Sequence, residues 1–288
     1  MRGRFAPSPT GDLHLGTART ALVAWLQARS AGGSFVVRVE DLDGPRVVPG
    51  AEQRILEDLR WLQLDWDGEV VRQSERLPRY EGAAAQLLAR GLAFPCFCSR
   101  AELQRAASAP HEGEEGPRYP GTCRALSAEE VAERSRARKP SLRLRVEPGE
   151  IQWTDGVRGA QRDDPSRQVG DFVIRRADGI FAYQLAVVVD DAAQQVTDVV
   201  RADDLLSSTA RQIYLYRALG LAEPRFAHVP LMLGPDGQRL SKRHGDIAVR
   251  ALGLPPRAVV GRLASSLGLC TPDAQPSPAE LIDGFRLP

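Results

Sequence analysis

The N-terminal part of the chain constrains the fold most, because strand and helix patterns alternate there around a turn-rich loop. A short apolar segment at 4–7 predicts the end of a strand, and a loop rich in Pro and Gly follows over 7–16. Apolar residues at helical spacing predict a helix over 17–30, a β-branched strand follows over 32–43, and a second amphipathic helix fits 49–63. This order predicts a doubly wound parallel sheet in a protein of the α/β class.

The first loop lies where a doubly wound sheet binds ligands, beyond the carboxyl end of a strand and before a helix. Gly11 and Gly16 let a backbone approach a ligand closely, and a helix with Thr17 as its N-cap directs free N–H groups at an anion. His14 between them is suited to donate to a phosphate, but a solvated loop residue is the alternative. Neither the P-loop pattern nor G-x-G-x-x-G occurs, so the usual phosphate and dinucleotide fingerprints fail.

The composition changes near residue 94, where Pro, Gly and Cys become frequent and periodicity is lost. The strand pattern then resumes with a hairpin that turns at Asp178–Gly179 and continues into "LAVVV" (185–189), an apolar run typical of a strand covered on both faces. Another helix fits 208–221. The sequence therefore predicts four parts, which are the first half of the α/β domain (1–94), an insertion (95–164), the second half (165–232), and a loop with a short helical tail (233–288).

Composition narrows the class of protein. A hydrophobic content of 43% and a net charge of +1 are ordinary for a globular protein, and they give no global basic field for nucleic acid, although a local basic face remains possible. No apolar run is long enough to cross a membrane, and the N-terminus lacks the apolar core of a signal peptide. Four cysteines, three of them clustered, do not form a secreted disulfide framework. We expect a cytoplasmic monomer.

Two short motifs far apart in the chain carry a family resemblance. "HLGT" (14–17) and "RLSKR" (239–243), with a split Rossmann-like body between them, resemble the two signatures of class I aminoacyl-tRNA synthetases. The segment "RFAPSPTGDLHLGTARTAL" with "VRVEDLD" is similar to the glutamate-specific branch of that family. The general signature ends in a second histidine where this chain has Thr17, and the glutamate branch tolerates a small residue there. The resemblance extends over nearly the whole chain.

The resemblance implies an ATP site. It implies catalytic roles for His14 and Lys242, Mg²⁺ accompanying ATP, and ATP contacts from His14, Gly16, Thr17, Ser241 and Lys242. Among 38 Lys and Arg residues, only Lys139 and Lys242 are lysine. A compact ammonium on a flexible stem can follow departing pyrophosphate better than a planar guanidinium, although one of two lysines can also lie in this loop by chance.

The predicted amino-acid site follows from charge. A glutamate site must hold an ammonium and a side-chain carboxylate, and Glu40, just after a strand, suits the ammonium. Arg4 and Arg201 lie at the ends of predicted strands, and arginine binds carboxylates in a bidentate manner. From the residues alone, Glu40 in a surface salt bridge and Tyr183 in the core remain alternatives. The resemblance assigns glutamate binding to Arg4, Phe5, Ala6, Pro7, Ser8, Glu40, Tyr183 and Arg201.

Three cysteines of the insertion predict a structural zinc site. Cys96 and Cys98 form C-x-C, and Cys123 closes "YPGTC", so three thiolates in a loop-rich segment suit tetrahedral zinc. His111 is the usual chemical choice for the fourth ligand, whereas the resemblance points to Tyr119 in a C-x-C…Y-x-x-x-C pattern. Three unmetallated thiols are the alternative.

The tail predicts which branch of the family the chain resembles. Residues 247–288 are too few for an additional anticodon-reading domain of ordinary size, and "PDAQPSPAEL" (272–281) is rich in Pro. A glutamate-type core with this insertion and tail resembles the synthetases that activate L-glutamate without tRNA and transfer it to queuosine in the anticodon loop of tRNA(Asp). A short glutamyl-tRNA synthetase and an inactive RNA-binding paralogue are the alternatives.

Overall fold

The computed structural model describes residues 1–99, 101–103, 118–232 and 247–288. The strands are β1 (Arg2–Phe5), β2 (Ser34–Val39), β3 (Val71–Arg72), β4 (Ala93–Cys96), β5 (Ser141–Leu144), β6 (Ile151–Asp155), β7 (Gly159–Asp163), β8 (Val173–Arg175), β9 (Asp198–Ala202) and β10 (Arg225–Val229). The α-helices are α1 (Leu15–Ser30), α2 (Ala51–Trp61), α3 (Leu77–Ala89), α4 (Ala128–Ala137), α5 (Pro165–Gln168), α6 (Tyr183–Ala193), α7 (Thr209–Leu219) and α8 (Pro256–Ser265).

The main sheet has seven strands in the order β3-β2-β1-β9-β10-β6-β7. Every neighbouring pair is parallel except the antiparallel hairpin of β6 and β7. The chain runs outward from β1 through β2 to β3 on one side, and from β9 to β10 on the other. The predicted doubly wound α/β sheet is therefore confirmed, and its topological switch point lies between β1 and β9. A separate antiparallel sheet contains β4, β5 and β8.

Apolar side chains cover both faces of the main sheet. Val200 packs into a core with α1, α2 and α8, whereas its neighbour Val199 packs into a second core with α3, α6 and α7. In β10, Ala227 and Phe226 divide between the two cores in the same way. Successive side chains of a strand point to opposite faces, so near-continuous apolar strands suit a sheet buried on both sides.

Two local predictions are wrong. The run 185–189 is helical within α6 rather than a strand, and the strand of this region is β9. A continuous apolar run does not distinguish a strand from a helix buried on nearly all sides, and α6 is the latter, since Leu185 and Val188 are both fully buried. Helix α1 begins at Leu15 with His14 at the N-cap position, not Thr17, because the Ala18 N–H already donates to the His14 carbonyl at 2.8 Å.

The predicted hairpin at 178–179 is present as a turn with one bridge between Arg175 and Phe181. The predicted insertion contributes β5 to the small sheet and the β6–β7 hairpin to the edge of the main sheet, while the tail contains α8. The domain limits stay a prediction. Within the described ranges, no helix is both long and apolar enough to cross a membrane.

Candidate active site

A cavity of about 890 Å³ lies at the switch point, beyond the carboxyl ends of β1 and β9 and beside the start of α1. Parallel strands that diverge at this point leave a crevice between their ends, so the fold itself creates the space. The cavity brings together every predicted ATP- and glutamate-site residue that the structure describes. These are Arg4, Phe5, Ala6, Pro7, Ser8, His14, Gly16, Thr17, Glu40, Tyr183 and Arg201.

Arg201 reaches this cavity from β9 as a buried cation, with 3% of its surface exposed. Its Nη1 donates to Gln212 Oε1 at 2.7 Å and more weakly to the Tyr183 hydroxyl at 3.4 Å, and its Nη2 donates to Thr209 Oγ1 at 3.0 Å. Nε donates to His228 Nε2 at 2.9 Å. None of these partners is a carboxylate, and burial lowers the pKa of Arg201. The arrangement is suited to bind an anion in the cavity.

A carboxylate–arginine network lies on the other side of the switch point. The Arg38 guanidinium, which is fully buried, donates to Asp191 Oδ1 at 2.7 Å and to Glu40 Oε1 at 3.2 Å. Arg4 Nε lies 3.5 Å from the same Asp191 oxygen. Burial raises the pKa of Glu40, and the positive charges of Arg38 and Arg4 oppose that shift. Asp191 therefore holds two arginines, one of which fixes Glu40 at the cavity wall.

The start of α1 forms the phosphate side of the cavity. The Gly16 and Thr17 backbone lies in the first turn, where N–H groups and the helix dipole favour an anion. His14 Nδ1 is buried without a hydrogen-bond partner in the described structure. The Leu15 N–H donates to the Ile247 carbonyl at 3.2 Å, and Leu231 and Met232 line the cavity. Both flanks of the segment 233–246 therefore lie at this site, while Ser241 and Lys242 lie outside the described residues.

Sequence reasoning missed Arg19, Asp155 and His228. Arg19 lines the cavity from α1, its Nη2 donates to the Pro230 carbonyl, and burial lowers its pKa. Asp155 and His228 stand behind Arg201 and are both buried in the sheet. A charged or imidazole side chain among mostly apolar neighbours was the signal available for Arg19 and His228, whereas the strand of Asp155 also contains Gln152 and Thr154 and gave no such signal.

The three cysteines predicted as metal ligands converge beside β4. Their sulfur atoms all lie within 4.8 Å of one another, and Cys98 Sγ is 3.7 Å from Cys123 Sγ. Tyr119 Oη is 3.5 Å from Cys96 Sγ and accepts the Cys123 N–H at 2.7 Å. Two sulfurs about 2.3 Å from a tetrahedral zinc ion are separated by about 3.8 Å, and a sulfur and an oxygen at zinc-bonding distances by about 3.5 Å. The donor set therefore fits zinc, whereas His111 lies outside the described residues.

The pKa values of the Cys96 and Cys98 thiols are shifted in opposite directions. Burial and the neighbouring thiols raise the pKa of Cys98 to about 12. Burial alone would also raise the pKa of Cys96, but hydrogen bonding with Tyr119 and the nearby Arg143 guanidinium lower it overall. Arg143 Nε donates to Cys96 Sγ at 3.3 Å, and its guanidinium carbon lies 4.0 Å from the centroid of the Tyr119 ring. A divalent cation among these sulfurs would favour the thiolate forms that bind it.

Comparison with known proteins identifies the class. The family model described as tRNA synthetases class I (E and Q), catalytic domain, matches residues 1–272. The chain belongs to this family and is an aminoacyl-tRNA synthetase-like ligase. The family uses ATP together with Mg²⁺, which agrees with the phosphate side of the cavity.

Two curated relatives resemble the whole chain. A protein of Symbiobacterium thermophilum named "Glutamyl-Q tRNA(Asp) synthetase" is 53% identical over 99% of this chain and 92% of its own length. A protein of Nocardia farcinica with the same name is 53% identical over 99% of this chain and 90% of its own length. A crystal structure of glutamate-tRNA synthetase from Elizabethkingia anophelis superposes with a TM-score of 0.87 at 32% identity, and the match covers 99% of this chain but only 65% of that protein.

Proposed function

We propose that this protein uses ATP to activate L-glutamate as glutamyl-adenylate and transfers the glutamyl group to the queuosine base in the anticodon loop of tRNA(Asp). The observation that carries the proposal is the buried Arg201 guanidinium, whose hydrogen-bond partners are all uncharged, in the same cavity as the Glu40 carboxylate. A ligand with a side-chain carboxylate and an ammonium complements this pair, and glutamate has both.

The residues support a sequence of two transfers. Arg201, Arg4 and the Tyr183 hydroxyl hold the side-chain carboxylate, and Glu40 holds the ammonium. One oxygen of the free α-carboxylate then attacks the α-phosphorus of ATP, and pyrophosphate leaves. A queuosine hydroxyl attacks the carbonyl carbon of the adenylate, and AMP leaves with the bonding electron pair.

The phosphate side stabilises the first transfer. His14 and the first turn of α1, with Gly16 and Thr17, bind the phosphates, and Ser241 and Lys242, which the family resemblance assigns to ATP, would add to these contacts. Positive charge and oriented N–H groups reduce the barrier because negative charge accumulates on the departing pyrophosphate. Mg²⁺ bound with ATP would neutralise part of that charge.

The relatives favour queuosine as the acceptor over the 3′ end of tRNA(Glu). Both curated relatives named for glutamyl-Q tRNA(Asp) match this chain nearly end to end, whereas the chain spans 65% of the glutamate-tRNA synthetase it resembles. The cyclopentenediol of queuosine offers a cis-diol like that of a terminal ribose, so a core suited to an acceptor end can accept it. The predicted parts 1–94 and 165–232 would form the catalytic domain, and 233–288 the loop and tail. We also propose that the protein is cytoplasmic and monomeric; sedimentation analysis of the purified protein tests the oligomeric state, and cell fractionation tests the location.

We further propose one structural zinc ion on Cys96, Cys98 and Cys123, with Tyr119 as the fourth ligand. The support is that the three sulfurs lie within 4.8 Å of one another, and that the Cys98–Cys123 and Cys96–Tyr119 pairs have the separations expected of neighbouring zinc ligands. Zinc bound there would order the segment around these side chains, and adenylate chemistry in the main cavity would not require it.

The acceptor is tested by charging with radiolabelled glutamate. Queuosine-containing tRNA(Asp) that ends in 2′,3′-dideoxyadenosine lacks the 3′ diol but keeps the queuosine diol, so we expect it to accept glutamate. The matched control, unmodified tRNA(Asp) with an intact 3′ end, is expected to accept none. Charging of tRNA(Glu) instead would establish the short glutamyl-tRNA synthetase.

A further inference from the structure

A buried chain of polar side chains runs behind Arg201, away from the cavity. Asp155 is the last residue of β6. Its Oδ2 accepts a hydrogen bond from Nδ1 of the His228 ring, at an Nδ1–Oδ2 distance of 2.5 Å. The opposite ring nitrogen of His228, Nε2, accepts a hydrogen bond from Arg201 Nε–H at 2.9 Å. Asp155 and His228 are 2% and 0% exposed, and neither lines the cavity.

The backbone fixes Asp155 as a carboxylate. Its Oδ1 accepts N–H groups of Val157 at 3.0 Å, Arg158 at 2.9 Å and His228 at 3.1 Å. Burial alone would raise the pKa of Asp155, but the bonds from His228 and these backbone groups lower it to about 2. An ionised carboxylate only accepts hydrogen bonds, so the proton of the His228–Asp155 bond resides on Nδ1.

The proton on Nδ1 determines what His228 offers to Arg201. A neutral imidazole with its proton on Nδ1 has a lone pair on Nε2, and Arg201 always donates. The other tautomer, or an imidazolium, would direct an N–H at the Arg201 N–H. Burial and the positive charge of Arg201 lower the pKa of His228 although Asp155 opposes them, which agrees with a neutral ring.

The remaining neighbours of His228 agree with the same proton position. The Thr209 hydroxyl lies 3.3 Å from Nε2, and the Phe226 ring stacks at 6.4 Å and 14°. Asp203 contributes a more distant negative charge and pairs with Arg158 at 2.9 Å. Both groups in contact with Nε2 can therefore donate to it, while Asp155 accepts at Nδ1.

We propose that Asp155 and His228 are positioning residues that set the orientation of Arg201, and thereby the affinity for the glutamate side chain, through the Nδ1–H tautomer of His228. Four of the five guanidinium N–H groups are occupied by His228, Gln212, Thr209 and Tyr183, which leaves one Nη2 N–H to donate to a carboxylate. The inference rests on the proposed glutamate site. It adds two residues behind the cavity wall that would contribute to the specificity for the glutamate side chain.

Asp155→Asn tests the tautomer, because the amide keeps the size of the carboxylate but no longer requires a proton on Nδ1. In ATP–pyrophosphate exchange, we expect the KM for glutamate to rise by about 10- to 100-fold, as for one lost hydrogen bond to a charged group, while the KM for ATP stays within about 2-fold. Discrimination against glutamine, which lacks the charge, should fall in parallel. Asp203→Asn removes a nearby carboxylate that is not bonded to His228, and it should leave both KM values unchanged.

The tautomer is measured without any substrate. The chain has four histidines, so ¹⁵N-histidine NMR resolves few rings, and His228→Gln assigns the His228 signals. The native protein at pH 7.5 should show a protonated Nδ1 and an unprotonated Nε2. An Nε2–H tautomer or an imidazolium in the native protein overturns the proposal, even if Asp155→Asn does not fold.

The kinetic results separate the two proposals. A native protein that activates glutamate while Asp155→Asn keeps the native glutamate KM refutes the positioning role alone. Equal losses for glutamate and ATP in a folded variant also refute it, because they indicate a general structural defect. A native protein that activates no glutamate refutes the proposed function itself.

Discussion

At the scale of single residues, the proposed activation step depends on charge, and Lys242 is the clearest case among the predicted residues. We expect Lys242→Arg to lower the rate of ATP–pyrophosphate exchange by about 10²–10³, because a rigid guanidinium follows the departing pyrophosphate poorly. Glutamate binding should be retained, since the amino-acid side of the cavity is unchanged. Lys139→Arg, at an exposed position, is the matched control for the same substitution. Native turnover in Lys242→Arg would refute the role of the ammonium.

The proposed role of the Glu40 carboxylate predicts that activation of glutamate loses activity at acid pH. Burial raises the pKa of Glu40 above its ordinary value. In the proposed site, ionised Glu40 would bind the ammonium. We therefore expect kcat/KM for glutamate to fall as the pH decreases through this raised pKa, starting at a higher pH than an ordinary glutamate side chain would give. Glu40→Gln should have a low kcat/KM without this fall. A native profile that stays flat down to the ordinary range of a glutamate side chain would contradict the assignment.

Residues of local motifs could be predicted from the sequence, whereas residues that act through a distant partner could not. His14, Gly16 and Thr17 stand in one short pattern, and Glu40 directly follows a strand, so each was found without a three-dimensional contact. Asp155 meets its partner His228 only because β6 and β10 lie side by side, 73 positions apart in the chain. The hydrophobic periodicity of a sequence does not predict such a pair.

At the scale of single elements, the hydrophobic pattern predicted which residues are buried better than it predicted their secondary structure. The run 185–189 is buried as predicted but helical, because α6 packs against its neighbours on nearly all sides. A helix in that position directs Tyr183 from its first turn to Arg201, and Asp191 from its last turn to Arg38. The element that the sequence assigned to the wrong class therefore supports both sides of the cavity.

The proposed zinc ion would order the cysteine segment, because few buried apolar side chains surround the thiols. The small apolar cluster around the thiols has five buried members, and Cys98, Leu103, Leu126 and Val131 are only partly buried against it. We expect chelation of zinc to expose residues 118–126 to hydrogen exchange while pyrophosphate exchange largely persists and transfer to tRNA falls.

Two variants test the ligands of this segment by elemental analysis. Native protein should contain one zinc ion per chain, and Tyr119→Phe should bind it more weakly. Cys270→Ser, which changes a cysteine far from the cluster, should keep the full zinc content. Less than about half a zinc ion per native chain would argue against the site.

At the scale of the whole molecule, the fold brings the described residues of the proposed amino-acid site together from distant parts of the chain. Parallel pairing of β1 with β9 brings Arg4 and Arg201 to one edge, and the pairing of residues 13–15 with 247–249 joins the tail to the first loop. Intramolecular bonds already hold Arg201, Glu40 and Arg38 in place, so the site is pre-organised before any RNA binds.

This pre-organisation predicts that glutamate-dependent ATP–pyrophosphate exchange proceeds without tRNA. Binding of tRNA would be needed only if it had to reorient a side chain at the amino-acid site, and the described side chains already make the bonds that orient them. The measurement is the glutamate-dependent incorporation of labelled pyrophosphate into ATP by RNase-treated protein, with Arg201→Ala as the inactive control. Adding tRNA(Asp) or tRNA(Glu) should change the rate by less than about 2-fold. Exchange that begins only when tRNA(Glu) is added would show that the cavity is completed by its RNA, and it would favour the short glutamyl-tRNA synthetase.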